Sequence, residues 1–366
     1  MKFLAAALFL TFFTFKALAQ DTLYVGSYNT GQILRYDQTG NITQPDPWLG
    51  PGGNSANNAT VVGEGIAVGE GYPTTGGYAF GDVADPVYIA DATTQSIEVA
   101  NGNAATGVNP IVNASFITGL NVVADIALSK NGNDLYVAQE AAGSVTEYNA
   151  LTGAEIATVT GITDAHDVAV SANGTVYVTA YGAGTAQSVG VIDFSANLTN
   201  RQTFVPAGMT VAPGVTLDHA TGMVFDSSGD LWVANVYTQN NSVIGAPLNA
   251  EDFVSEFSSN GTLLKTIEAT GNHLWTVFGL SLGPDGNIYA GSFSGGEITE
   301  INTTTDALST FITLPAGDEP KYSIWQSDFE TFTPVPEPKA YAALTLGGVA
   351  LLIALRRFKR AFQSTA

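Results

Sequence analysis

One phrase recurs along the chain: a short run of apolar residues around an aromatic one, bounded by Gly, Asn, Asp or Ser. It occupies Asp21 to Tyr28, Pro86 to Asp91, Asn133 to Gln139, Gly174 to Thr179, Gly229 to Asn235 and Gly286 to Ser292, with the aromatic at Tyr24, Tyr88, Tyr136, Tyr177, Trp232 and Tyr289. Runs this short, apolar on both faces and closed by turn residues, predict strands buried on both sides. The aromatics lie 41 to 64 residues apart, as in a repeat of about forty with loop insertions, which makes six units.

Each unit has the same internal order. An apolar strand such as Asp125 to Ser129 meets a turn at Lys130, Asn131 and Gly132; the aromatic strand, a third strand (Ser144 to Tyr148) and a fourth (Glu155 to Val159) follow. Turns ending in Gly174, Gly229 and Gly286 repeat the position, and glycine supplies the positive φ that a tight hairpin requires. The predicted fold is all-β, a six-bladed β-propeller of four-stranded antiparallel blades over residues 20–326. This phrasing resembles the NHL-type and related six-bladed propellers. The first aromatic strand has no room for an inner strand before it, so Lys321 to Gln326 is expected to complete that blade and remove an exposed sheet edge. An open β-solenoid or a pair of sandwiches is the alternative. Residues 43–63, with Pro45, Pro47 and Pro51, read as a long loop, and 327–338 as a linker.

The ends differ in kind. Lys2, an apolar run from Phe3 to Phe15, and Ala17 and Ala19 before Gln20 form the basic, hydrophobic and small-residue parts of a signal peptide over residues 1–19. Near the other end stand Pro336, Glu337 and Pro338, a charge-free stretch from Ala340 to Leu355, and the basic stop Arg356, Arg357, Lys359 and Arg360. Those 16 residues would make a helix of roughly 24 Å, short for a hydrocarbon core of about 30 Å, so residues 339–366 read as a transmembrane sorting segment. This tail resembles the PEP-CTERM signal of exported bacterial proteins. The resemblance implies handling by an exosortase-like membrane enzyme after Sec-type export, transient residence in the inner membrane, a cell-surface or extracellular destination, and association with exopolysaccharide or surface proteins. A permanent, uncut anchor is the alternative.

Charge narrows the partners. Residues 20–338 hold all 33 acids but only five bases, Arg35, Lys130, Arg201, Lys265 and Lys321, a net charge of −28. Such a surface repels phosphate backbones and offers no basic stripe, which argues against nucleic acid. With no cysteine, neither disulfides nor thiolate metal sites are available.

Candidate chemistry is sparse. His166 beside Asp167, His219 and His273 all fall just before predicted innermost strands, on the face where Asp91, Glu140 and Asn235 close the aromatic strands. Imidazole, carboxylate and amide oxygen there could hold a divalent cation, calcium or magnesium, with open positions; histidines bonded to nearby backbone are the plainer expectation. Gly63, Glu64 and Gly65 resemble the glutamate motif of the gluconolactonase and regucalcin family, which implies Glu64 as a further ligand and a metal-dependent lactonase, hydrolase or lyase as the alternative to a binding or scaffold module. No catalytic residue is identified. The segments Asp226 to Asp230 and Asp285 to Asn287 lack the twelve-residue calcium pattern and read as hairpin turns.

Overall fold

The structure is a computed structural model. It describes residues 22–330 apart from 28–31, 43–47, 50–62, 70–85, 105–108, 181–188, 237–251, 315–323 and stretches of one to three residues. The expected signal, with Ala17, Ala19 and Gln20, lies outside the described residues, as do Pro336, Glu337, Pro338, the apolar tail and Arg356, Arg357, Lys359 and Arg360. Among the described residues no helix is long and apolar enough to cross a membrane.

Antiparallel sheets follow one another along the chain. Strands β1 (Thr22–Ser27) and β2 (Gln32–Asp37) pair first. Next come β3 (Gly63–Val68), β4 (Pro86–Asp91), β5 (Ser96–Asn101) and β6 (Ile111–Thr118), then β7 (Val123–Leu128), β8 (Asp134–Gln139), β9 (Ser144–Asn149) and β10 (Glu155–Thr160). The following sheet is β11 (Ala165–Val170), β12 (Val176–Ala180), β13 (Val189–Phe194) and β14 (Arg201–Val205). A short hairpin, β15 (Met209–Ala212) and β16 (Val215–Leu217), intervenes. The last two four-stranded sheets are β17 (Ala220–Phe225), β18 (Leu231–Asn235), β19 (Phe253–Phe257) and β20 (Leu263–Glu268), and β21 (Val277–Leu282), β22 (Ile288–Ser292), β23 (Glu297–Ile301) and β24 (Leu308–Thr313). The first strands of successive sheets pack side by side, β3 on β7, β7 on β11, β11 on β17 and β17 on β21. This is a β-propeller arrangement.

The repeated aromatic explains why the sheets stack. Tyr88 packs with Val123, Val137 and Tyr148 of the next sheet, Tyr136 with Val168 and Val178, Tyr177 with Met223 and Leu231, and Trp232 with Val277 and Ile288. The core is therefore a set of apolar seams between sheets, each keyed by a large ring whose full burial contributes on the order of 2 kcal/mol. Tyr88 also donates its hydroxyl to the Ala150 carbonyl of the next sheet at 2.7 Å. The expected turn glycines hold: Gly132, Gly174, Gly229 and Gly286 have φ of 70°, 86°, 85° and 82°.

The first sheet departs from expectation. Among the described residues it has three strands, and beside β2, at the stretch read as a long loop, isolated bridges join Tyr36 to Ile42 and Ile33 to Leu49, with Trp48 and Leu49 buried. The late strand β25 (Ile324–Glu330) pairs antiparallel with β1, Thr22 opposite Glu330. It starts after Lys321 and extends through Ser327 to Glu330, into the stretch expected as linker.

Candidate functional site

Two faces can be told apart by strand direction. Tight turns join β7 to β8, β11 to β12, β17 to β18 and β21 to β22 on one face, the turn face. The opposite face, the loop face, is where β4, β8, β18 and β22 end and β7, β11, β17 and β21 begin. The predicted ligand residues concentrate there.

The residues ending the aromatic strands hold the incoming loops. Asn235 Oδ1 accepts from the His219 amide at 2.8 Å, Gln139 Oε1 from the Asn121 amide at 3.0 Å, and Ser292 Oγ from the Trp275 amide at 2.9 Å. Three side chains at equivalent positions thus clamp three equivalent loops. Two of those loops carry left-handed backbone, at Val122 and at Leu274 and Thr276 with φ of 52°, 59° and 53°, a conformation that costs non-glycine residues on the order of 1 kcal/mol each, and Asp164 at 48° does the same in the β10–β11 loop. Asp91 has the corresponding place in its sheet. Its carboxylate caps its own turn, accepting from the Thr93 amide at 2.7 Å and the Thr94 hydroxyl at 2.7 Å.

The histidines separate. His166 and Asp167 belong to strand β11, not to the loop expected from sequence, and both are buried. The His166 ring stacks on Phe278 with centroids 5.8 Å apart, and burial pushes its pKa down from 6.5 to about 4, so the imidazole is neutral near pH 7. His219 is buried. His273 approaches Glu297 with Nδ1 2.6 Å from Oε1, and Glu297 also accepts from the Thr299 and Thr310 hydroxyls at 2.8 Å. Glu140 is half-buried, its carboxyl raised by desolvation and by the charge of Asp164. Glu64 lies in β3, and its side chain is outside the described residues.

Around the axis, successive sheets are stitched by side chains. Asp125 Oδ2 accepts from the Val168 amide at 2.9 Å, the Thr179 hydroxyl donates to the Thr221 carbonyl at 2.8 Å, and the Thr221 hydroxyl to the Val277 carbonyl at 2.6 Å. Close approach sets residue size here: a Cβ on Gly65 would sit 2.7 Å from Asp125 Oδ1, and one on Gly222 would sit 2.4 Å from the Phe278 carbonyl oxygen.

Among the described residues, the set of acidic or imidazole side chains close enough to share a metal is Asp226, Asp230 and Glu256, none of them a predicted ligand. It lies toward the turn face. Asp226 Oδ1 accepts from the Ser228 and Asp230 amides at 2.8 and 3.0 Å, and Oδ2 from Trp232 Nε1 at 3.1 Å. Lys265 already brings positive charge, 3.3 Å from Glu256 and 4.9 Å from the Trp232 ring centre. These contacts make Asp226 to Asp230 a capped hairpin turn, as expected for that segment, with Glu256 beside it paired to Lys265. Glu256, distant in sequence, comes opposite Trp232 through the β18–β19 register, which no local motif announces.

No protein-family model and no curated protein matches the sequence. Solved structures do. A chain from the nidogen/laminin complex aligns with a TM-score of 0.58 at 14% identity, covering 84% of this chain and 97% of that one. Hydrazine synthase of Kuenenia stuttgartiensis aligns with a TM-score of 0.51 at 14% identity, covering 77% and 73%. Virginiamycin B lyase from Staphylococcus aureus aligns with a TM-score of 0.45 at 14% identity, covering 69% and 71%. Likeness at this level speaks to the fold alone.

Proposed function

We propose that the protein is an exported six-bladed propeller that works as a binding or scaffold module at the cell surface or in the extracellular matrix. Six blades are supported by two further apolar seams: Tyr289 and Ile298 pack with Leu23 and Leu34, and Tyr24 and Ile33 with Ile66 and Val87. Strand β25 then stands innermost, packed on both β21 and β3. Export rests on the apolar segments at 1–19 and 340–355 and their flanking residues. The PEP-CTERM resemblance of the tail adds the route: Sec-type export, an exosortase-like enzyme acting near Pro336, Glu337 and Pro338, and exopolysaccharide or surface proteins as partners.

One observation carries the binding role over the enzyme alternative. Asn235, with Gln139 and Ser292, has its side-chain oxygen bonded to loop backbone, and the histidines lead to three separate surroundings. Such an arrangement fixes loop shape, as a recognition surface needs. Purified chain spanning residues 20–366 should retain acidic or neutral exopolysaccharide in a pull-down, and its melting temperature should not change with chelator. A bound stoichiometric divalent ion whose removal lowers that temperature would move the assignment to the metal-dependent enzyme.

A further inference from the structure

In four of the sheets the inner strand turns tightly into the aromatic strand, with Gly132, Gly174, Gly229 or Gly286 in the turn. The first sheet has no such turn. Its inner strand β25 ends at Glu330 and its aromatic strand β1 begins at Thr22, and these two residues are direct antiparallel partners. Facing Cα atoms in such a pair lie about 5 Å apart. The segment before Thr22 and the segment after Glu330 therefore leave from one point, close to the axis, on the turn face.

Both segments contain apolar stretches. Only residues 331–339 separate Glu330 from the charge-free run that starts at Ala340, and nine residues reach about 30 Å at full extension. Strands of five or six residues put the two faces on the order of 20 Å apart. We infer that, while the tail is in a lipid bilayer, the turn face is held toward the membrane and the loop face, with Glu140, Asp164 and the clamped loops, is presented to the aqueous side. The inference rests on the export reading above and adds the partner surface, a bilayer, and the side that meets it. A consequence concerns processing: a cut at Pro336 to Pro338 falls beyond Glu330 and leaves β25 on the body.

The chain contains no cysteine, so single labels can be placed by substitution. Ser228→Cys sits exposed in a tight turn, and Ala141→Cys sits exposed in the β8–β9 loop at the other face. Each variant of the full chain is labelled with a donor dye and added to phosphatidylethanolamine/phosphatidylglycerol vesicles containing a headgroup acceptor, after flotation has isolated the bound protein. Energy transfer at Ser228→Cys should exceed that at Ala141→Cys by about twofold or more. Equal or reversed transfer in floated protein overturns the orientation while leaving the anchoring intact. Failure to float overturns the anchoring, and the orientation with it.

Discussion

His166 and Phe278 stack, ring centres 5.8 Å apart and planes 24° from parallel, although their strands β11 and β21 belong to sheets separated by a third. Because both rings are buried, protonating His166 would place a charge where water does not reach. Its folded pKa, about 4, is below the ordinary 6.5, so the unfolded chain binds the proton more readily and stability falls as pH drops from 6.5 toward 4. The loss is on the order of 3 kcal/mol. In urea unfolding at pH 7 and pH 4.5, His166→Phe should lose less stability on acidification than the parent; identical losses would remove His166 from the account.

Glu98 has the opposite sign. It is buried on β5, its Oε2 has no hydrogen-bond partner among the described residues, and desolvation followed by the charge of Asp91 raises its pKa from 4.5 to about 7. The folded state binds this proton more tightly, so stability is fully present below pH 4.5 and declines as pH rises through 7. Glu98→Gln should stabilise the protein at pH 8 by roughly 2 kcal/mol and change little at pH 4.5. Unfolding curves at the two pH values check this; stabilisation of the same size at both would show a packing effect instead.

Gly222 lies against backbone, not a flexible side chain. A methyl group there would come within 2.4 Å of the Phe278 carbonyl oxygen, at the β17–β21 seam. Gly222→Ala should cost about 1–3 kcal/mol in thermal or urea unfolding, with Gly174→Ala as a contrast, since no atom lies near its Cβ position and only its positive φ is strained.

Asn235 is expected to act on the loop more than on the sheet. Asn235→Ala removes the acceptor for the His219 amide and leaves a buried donor unmet, a loss of about 1–2 kcal/mol. Hydrogen exchange should rise in residues 215–219 and remain unchanged in β8 and β9. Uniformly faster exchange would mean that the clamp is part of the global core.

How much could be read from sequence depends on whether an environment repeats. Tyr88, Tyr136, Tyr177 and Trp232 serve the same seam in successive sheets, so one residue type recurs at one strand position and reveals strand, turn and architecture together. The loop face has no such redundancy. His166 was expected in a loop, but the strand begins at Ala165, immediately after left-handed Asp164, and a register shift between Ala165 and Val168 re-aims the intervening side chains. Sequence also could not show that Asn235, Gln139 and Ser292 do one job, because an amide and a hydroxyl share no pattern beyond accepting a hydrogen bond.

Closure of the ring should depend on β25. The pairing runs from Thr22 opposite Glu330 to Ser27 opposite Ile324, so β1 gains a neighbour along its whole length. Without it, β1 presents an unpaired edge and β21 and β3 lose the strand that packs between them. A chain ending at residue 332 retains the strand and should melt cooperatively at the temperature of residues 20–366. A chain ending at residue 320 should melt at least 10 °C lower or aggregate, and a synthetic peptide of residues 321–332 added in excess should restore part of the loss by binding the folded state. Equal melting temperatures for the two truncations would show that the remaining sheets hold together without the closing strand.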